Sequence, residues 1–174
     1  LRERALVGRE RHDNGRPGDQ GYPIRGIVRD GWLYLCNLKP WLLPGGNPET
    51  GYRDIDSSPT KTAILQLKRS GQDDRYYALS MGQRPAAELY HVETDRECLT
   101  NRIGDISYRV LADSLRAELF RTLREQGDPR MTDDGDVFDR YPYDKPGKER
   151  IYERTVSGEI IPWKHSNWLP TDYE

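Results

Sequence analysis

The densest candidate chemistry in this 174-residue chain is the run Glu10-Arg11-His12-Asp13. It follows Ala5-Leu6-Val7-Gly8, a short apolar stretch that reads as a buried strand. Loops at strand ends are where binding and catalytic side chains concentrate. The bland alternative is a solvated charged loop, and residue types alone leave both readings open. His91, alternating with Tyr90 on a predicted strand, and His165, beside Trp163 and Trp168, read as structural. The acidic run Asp133-Asp134-Gly135-Asp136, with Asp139 beyond, invites a calcium loop. Such a loop needs acidic residues at alternating positions before its glycine. Arg130 stands five residues before Gly135, so the register fails and a solvated turn is expected. Cys36 and Cys98 have neither metal-site nor redox spacing, and they could be paired or free. No phosphate-binding loop and no dinucleotide fingerprint is present.

The elements that must position these residues are partly legible. Tyr22 to Arg29 and Trp32 to Leu38 read as strands joined at Asp30-Gly31. Asp-Gly is the characteristic pair of a two-residue hairpin, because both central residues need positive φ. Pro40 to Gly51 is a loop, and Ser58-Pro59 opens a helix that stops near Gly71. Tyr76 to Met81 suggests a short helix, and Glu88 to Val92 a strand. Leu111, Leu115, Leu119 and Leu123, with Val110, Ala112 and Phe120 beside them, give an amphipathic helix from Ile106 to Gln126. Asp105 is its expected N-cap and Gly127 its stop. Beyond Asp128-Pro129 the periodicity collapses, and an irregular arm is expected. The sum is an α+β fold: a small antiparallel sheet of about four strands packed by one long amphipathic helix.

Composition narrows the function classes. Leu, Ile, Val and Phe make up about a fifth of the chain, near the range of disordered sequences. The net charge of only −2 argues against disorder, and eleven Tyr with four Trp supply half-polar surfaces for shallow cores and interfaces. With 27 basic against 29 acidic residues there is no basic stripe for nucleic acid. No stretch approaches the roughly 20 apolar residues of a membrane span. The sequence opens Leu1-Arg2-Glu3-Arg4, neither an initiator Met nor a signal peptide, so a start in mid-sequence or after processing is expected.

Several blocks together resemble one family. Val7 to Asp13 followed by Gly21-Tyr22-Pro23-Ile24-Arg25 is similar to the stretch joining the large and small subdomains of sulfatases. The resemblance is to the N-sulfoglucosamine sulfohydrolase (heparan N-sulfatase)-like branch and its bacterial relatives. Trp32 to Pro40, Gly45 to Tyr52 and Ser58 to Lys61 continue it. Glu88-Leu89-Tyr90, the turn at Asp95, and Asn101 resemble the signature before the last sulfatase helix. Gly127-Asp128-Pro129-Arg130 and Gly135 to Phe138 extend the match into the tail. Single blocks are weak signals, whereas their order and spacing are specific.

The resemblance implies a parent that hydrolyses sulfate esters or sulfamates on glycosaminoglycan-type saccharides. It implies a large α/β domain, missing from this sequence, that carries a formylglycine and a Ca²⁺ ion. That domain is the first expected partner, and a sulfated saccharide is the second. Sulfatases make formylglycine in a Cys- or Ser-x-Pro-x-Arg motif. Ser57-Ser58-Pro59-Thr60-Lys61 has Lys in place of Arg, and Cys98 to Arg102 has Thr in place of Pro, so no catalytic residue is assigned and the chain alone is expected to be inactive. The match implies substrate-binding roles for His12 first, then Arg11 and Glu10. Arg25 is either a further binder or an ion-pair support for the loop. Residues 1–21 would be the junction, 22–127 the C-terminal subdomain and 128–174 an extension. A subdomain without its large partner would expose an apolar docking face. The family is often exported or lysosomal, and the compartment of this chain stays open. The rival reading is a stand-alone, non-catalytic carbohydrate-binding or interaction module.

Overall fold

A computed structural model describes residues 3–132, 134–143 and 147–159. Strands β1 (Arg4–Arg9), β2 (Ile24–Arg29), β3 (Trp32–Asn37) and β4 (Ala87–His91) form one antiparallel sheet in that order. The β2–β3 hairpin turns at Asp30 and Gly31, with φ of 51° and 76°, the positive pair its sequence calls for. The described residues also form the helices α1 (Pro59–Ser70), α2 (Arg75–Ser80), α3 (Arg109–Glu125), α4 (Val137–Arg140) and α5 (Ile151–Val156). The chain is therefore α+β, with the expected four-stranded sheet and long helix.

Contacts divide the described residues into two compact units. The first takes the residues up to Glu10, Tyr22–Pro40 and Arg84–Arg140; the second takes Arg11–Gly21, Trp41–Gln83 and the described residues from Tyr141 onward. In the first, Leu6, Ile27, Tyr34 and Leu89 are register partners across all four strands. This row packs with Ala112, Leu115, Leu119 and Leu123 of α3 to form the core. Glu118 of α3 adds an ionic tie, accepting from Arg4 at 2.5 Å and also pairing with Arg29. In the second unit, Tyr52, Leu65 and Met81 are the core, with Leu43, Ile55, Ile64 and Tyr77 packed against them. Ser58 caps α1 by accepting from the Lys61 N–H at 3.2 Å, and Gly71 ends it at a φ of 70°. Lys61 is buried at 3% exposure, and its ammonium donates to the carbonyls of Gly51, Tyr52 and Ile55.

Three expectations change. The run around Ala5–Gly8 is a strand, but an edge strand, with Val7 41% exposed. An edge strand has a neighbour on one side only, so apolar content alone overstates its burial. The long helix begins as a 3-10 turn at Ile106–Tyr108, which Asp105 caps through the Ser107 N–H, and Val110 faces solvent at 83% exposure. The segment after Asp128 is more regular than its composition suggests. It holds a 3-10 turn (Pro129–Met131), α4, and α5 with Ile151 fully buried. Helices of four to six residues are too short to print a periodicity. Asp133, Ile160-Ile161, Trp163, His165 and Trp168 lie outside the described residues.

Candidate functional site

The boundary between the units falls between Glu10 and Arg11, so the four expected substrate-side residues divide two and two. Glu10 and Arg25 belong to the first unit. Arg25 leaves β2 opposite Gly8 of β1. Every N–H of its guanidinium is engaged. Nε donates to Asp128 at 2.5 Å, one terminal nitrogen to the carbonyls of Arg9 and Ile24, and the other to Glu10 at 2.6 Å and Asp128 at 3.2 Å. Burial disfavours the cation, yet the hydrogen bonds and charges of Asp128 and Glu10 hold its pKa above the ordinary arginine value. These contacts are those of an ion-pair support for the loop.

Glu10 is committed in the same way. Its carboxylate accepts from Arg25 on one oxygen and from Arg130 on both, the shortest contact to Arg130 being 2.8 Å. The network continues from Arg130 to Asp136 at 2.9 Å and from Lys39 to Asp136 and Asp139 at 2.9 and 2.7 Å. Phe138 lies beneath both guanidiniums, 5.8 Å from Arg25 and 5.4 Å from Arg130. A shallow cleft of ≈ 340 Å³ opens beside these groups, with Val7, Gly8 and Leu123 as its apolar wall. Arginines and carboxylates alternate here and neutralise each other. The arrangement fixes a loop and leaves little charge for an anionic ligand. Asp128 and Arg130 were not among the expected site residues. Their signal was the Gly-Asp-Pro-Arg block, which residue chemistry alone reads as a turn.

Arg11 and His12 belong to the second unit. Arg11 donates to the carbonyls of Tyr141 at 2.6 Å and Asp19 at 3.4 Å, and its guanidinium lies 6.0 Å from the Tyr143 ring. It ties the 11–21 segment to the residues after α4. Asp13 accepts from Arg53 at 2.6 Å, and Arg16, buried at 1% exposure, pairs with Asp54 at 2.6 Å. Arg16 also donates to the Leu43 and Pro44 carbonyls. Between these anchored arginines His12 is exposed, and its ring makes no hydrogen bond among the described residues. Of the four expected residues it is the one whose donor and acceptor capacity stands open.

Among the described residues, no group of three or more His, Cys, Asp or Glu side chains is arranged to hold a metal. The acidic stretch around Gly135 is neutralised instead, Asp134 by Arg140 at 2.5 Å and Asp136 by Lys39 and Arg130. Both cysteines are free thiols, and burial pushes Cys36 and Cys98 upward in pKa, away from thiolate reactivity. No described helix is long and apolar enough to cross a membrane. No protein-family model matches the chain, and no curated protein matches it.

Proposed function

We propose that this chain is the C-terminal portion of a sulfatase of the N-sulfoglucosamine sulfohydrolase-like branch, whose parent hydrolyses sulfate esters or sulfamates on glycosaminoglycan-type saccharides. One observation carries the reading. The blocks that resemble the family occur in family order, and those that reach β1, β2, β3 and β4 belong to a four-stranded antiparallel sheet accompanied by one long helix, the subdomain architecture the resemblance calls for. The formylglycine and Ca²⁺ belong, in this reading, to a large domain of the parent. The contribution of this chain is to bind and orient. His12, exposed and without a hydrogen-bond partner among the described residues, is the residue offered to sugar or sulfate oxygens. Arg11, engaged with backbone carbonyls, and the Glu10–Arg25 pair hold their segments in shape rather than meeting substrate.

The test begins with the coding sequence upstream of Leu1. An in-frame continuation bearing a Cys/Ser-x-Pro-x-Arg motif is expected. The complete product should release sulfate from sulfated disaccharides, and His12→Ala should lower its turnover or affinity about tenfold or more, the cost of a hydrogen bond to a charged group. The 174-residue chain alone should leave aryl sulfates intact. A start codon directly before Leu1 would favour the non-catalytic carbohydrate-binding module, and unchanged His12→Ala kinetics would remove His12 from the pocket.

A further inference from the structure

A second cleft, ≈ 290 Å³ in volume, lies in the first unit and shares no residue with the Glu10–Arg25 network. Its size is at the small end of ligand pockets, which run from ~300 Å³ upward, and suits a single ring with its substituents. Trp32 and His91, register partners at the end of the β3–β4 ladder, line it. Trp32 is boxed by the His91 ring at 4.7 Å and 83° and by the Tyr108 ring at 4.8 Å and 50°. The rim is the turn that carries Thr94, Asp95, Thr100 and Arg102.

That rim is built rigidly. Asp95 accepts from the Leu99 and Thr100 N–H groups at 3.0 and 2.9 Å, which engages both carboxylate oxygens and holds the carboxyl below its ordinary range. Asn101 accepts from Leu89 and Ile103, and the Arg102 N–H donates to the Leu89 carbonyl at 2.8 Å. Arg102 is therefore anchored at its backbone on β4. Its guanidinium is exposed and forms no hydrogen bond among the described residues, while its charge acts on the Asp95 carboxyl of the same rim and helps to hold it low. The hydroxyls of Thr100 and Tyr108 likewise have no hydrogen-bond partner among the described residues. An aromatic wall, two open hydroxyls and a forked cation around one small cleft match a ring with an apolar face, hydroxyl edges and an anionic substituent.

We propose that this cleft binds one sulfated sugar residue of a saccharide chain, with the sugar ring against Tyr108 and Trp32 and the sulfate on Arg102. The choice of a sulfated sugar rests on the function proposed above; the cleft itself does not. It would hold a remote part of a long substrate, adding affinity away from the site of hydrolysis.

The experiment is a ¹⁵N-detected titration of the 174-residue chain with a sulfated uronate-containing disaccharide, its desulfated counterpart, and inorganic sulfate. The Trp32 indole signal, identified with Trp32→Phe, and the Thr100 and Arg102 amides should shift with the sulfated sugar, and far less with the other two. Arg102→Ala should weaken binding about tenfold or more, and Tyr108→Leu should weaken it while the spectrum stays folded. Equal shifts with the desulfated sugar, the same shifts with sulfate alone, or wild-type affinity in Arg102→Ala would each overturn the proposal. Sulfatase activity in the complete product with no shift at these signals defeats the cleft alone. Binding here without any activity in the complete product defeats the enzyme reading alone.

Discussion

At Gly26 a single methyl group decides whether β1, β2 and β3 can pack. A Cβ there would sit 2.6 Å from a Leu35 methyl, 2.8 Å from the Tyr34 carbonyl oxygen and 2.8 Å from a Val7 methyl. The carbonyl is backbone and cannot swing aside. Gly26→Ala should therefore destabilise the chain by ~1–3 kcal/mol, the usual cost of overpacking, read as a lower urea midpoint. The ion pairs make a different claim. The Glu118 carboxyl is held below its ordinary 4.5 by hydrogen bonds and charge from Arg4 and Arg29. Burial alone would raise Asp128, but hydrogen bonds from Arg25 and the Arg130 N–H, with the charges of both arginines, hold it below its ordinary 3.8. Both groups bind protons more readily when unfolded. Their contribution is complete above the unfolded values and is lost as pH falls through the lower folded ones. Urea midpoints measured downward from pH 5 should fall across that window, and Glu118→Gln should flatten the slope. At this scale the sequence named Glu10 and Arg25 but not their commitments. Those depend on Asp128 and Arg130, more than 100 residues away.

The elements were more legible, and for identifiable reasons. Asp30-Gly31 and Ser58-Pro59 are local signals, decided by φ preference and by one side-chain hydrogen bond. The leucine spacing of α3 is equally local, and Leu115 and Leu119 are fully buried against the sheet. Val110 shares the apolar character of that helix and lies on its solvent side. Leu115→Ala or Leu119→Ala should accordingly cost ~2–5 kcal/mol. Val110→Ala should stay within ~0.5 kcal/mol, as surface changes do. Thermal melts of the three variants distinguish a helix fixed by its packed face from one fixed by propensity, for which Val110→Ala would be the stabilising change. Ser58→Ala should cost ~1 kcal/mol by removing the α1 cap. What the sequence did not show at this scale was topology. The strand that pairs with β3 arrives about 50 residues later, after a stretch whose residues build the second unit.

At the scale of the molecule, the segment after α3 is where composition and structure diverge most. Rich in Pro, Gly and Asp, it reads as an appended arm. Residues 128–140 instead complete the first unit, because Asp128 and Arg130 supply the partners of Arg25 and Glu10. The Arg25 side chain is 9% exposed. Removing a partner from so buried a charge leaves it uncompensated, at a cost of ~3–5 kcal/mol. A chain ending at Arg140 and one ending at Gly127 both lack the later residues of the second unit, so their difference isolates this segment. The longer should keep the dispersed amide signals of the sheet and α3, with Leu119 and Leu89 protected from hydrogen exchange. The shorter should lose that protection, and an Arg25→Met substitution should restore part of it by removing the stranded cation. Equal protection in the two chains would show that the sheet and α3 stand without the network. The 128–140 segment would then be the appendage its composition suggests.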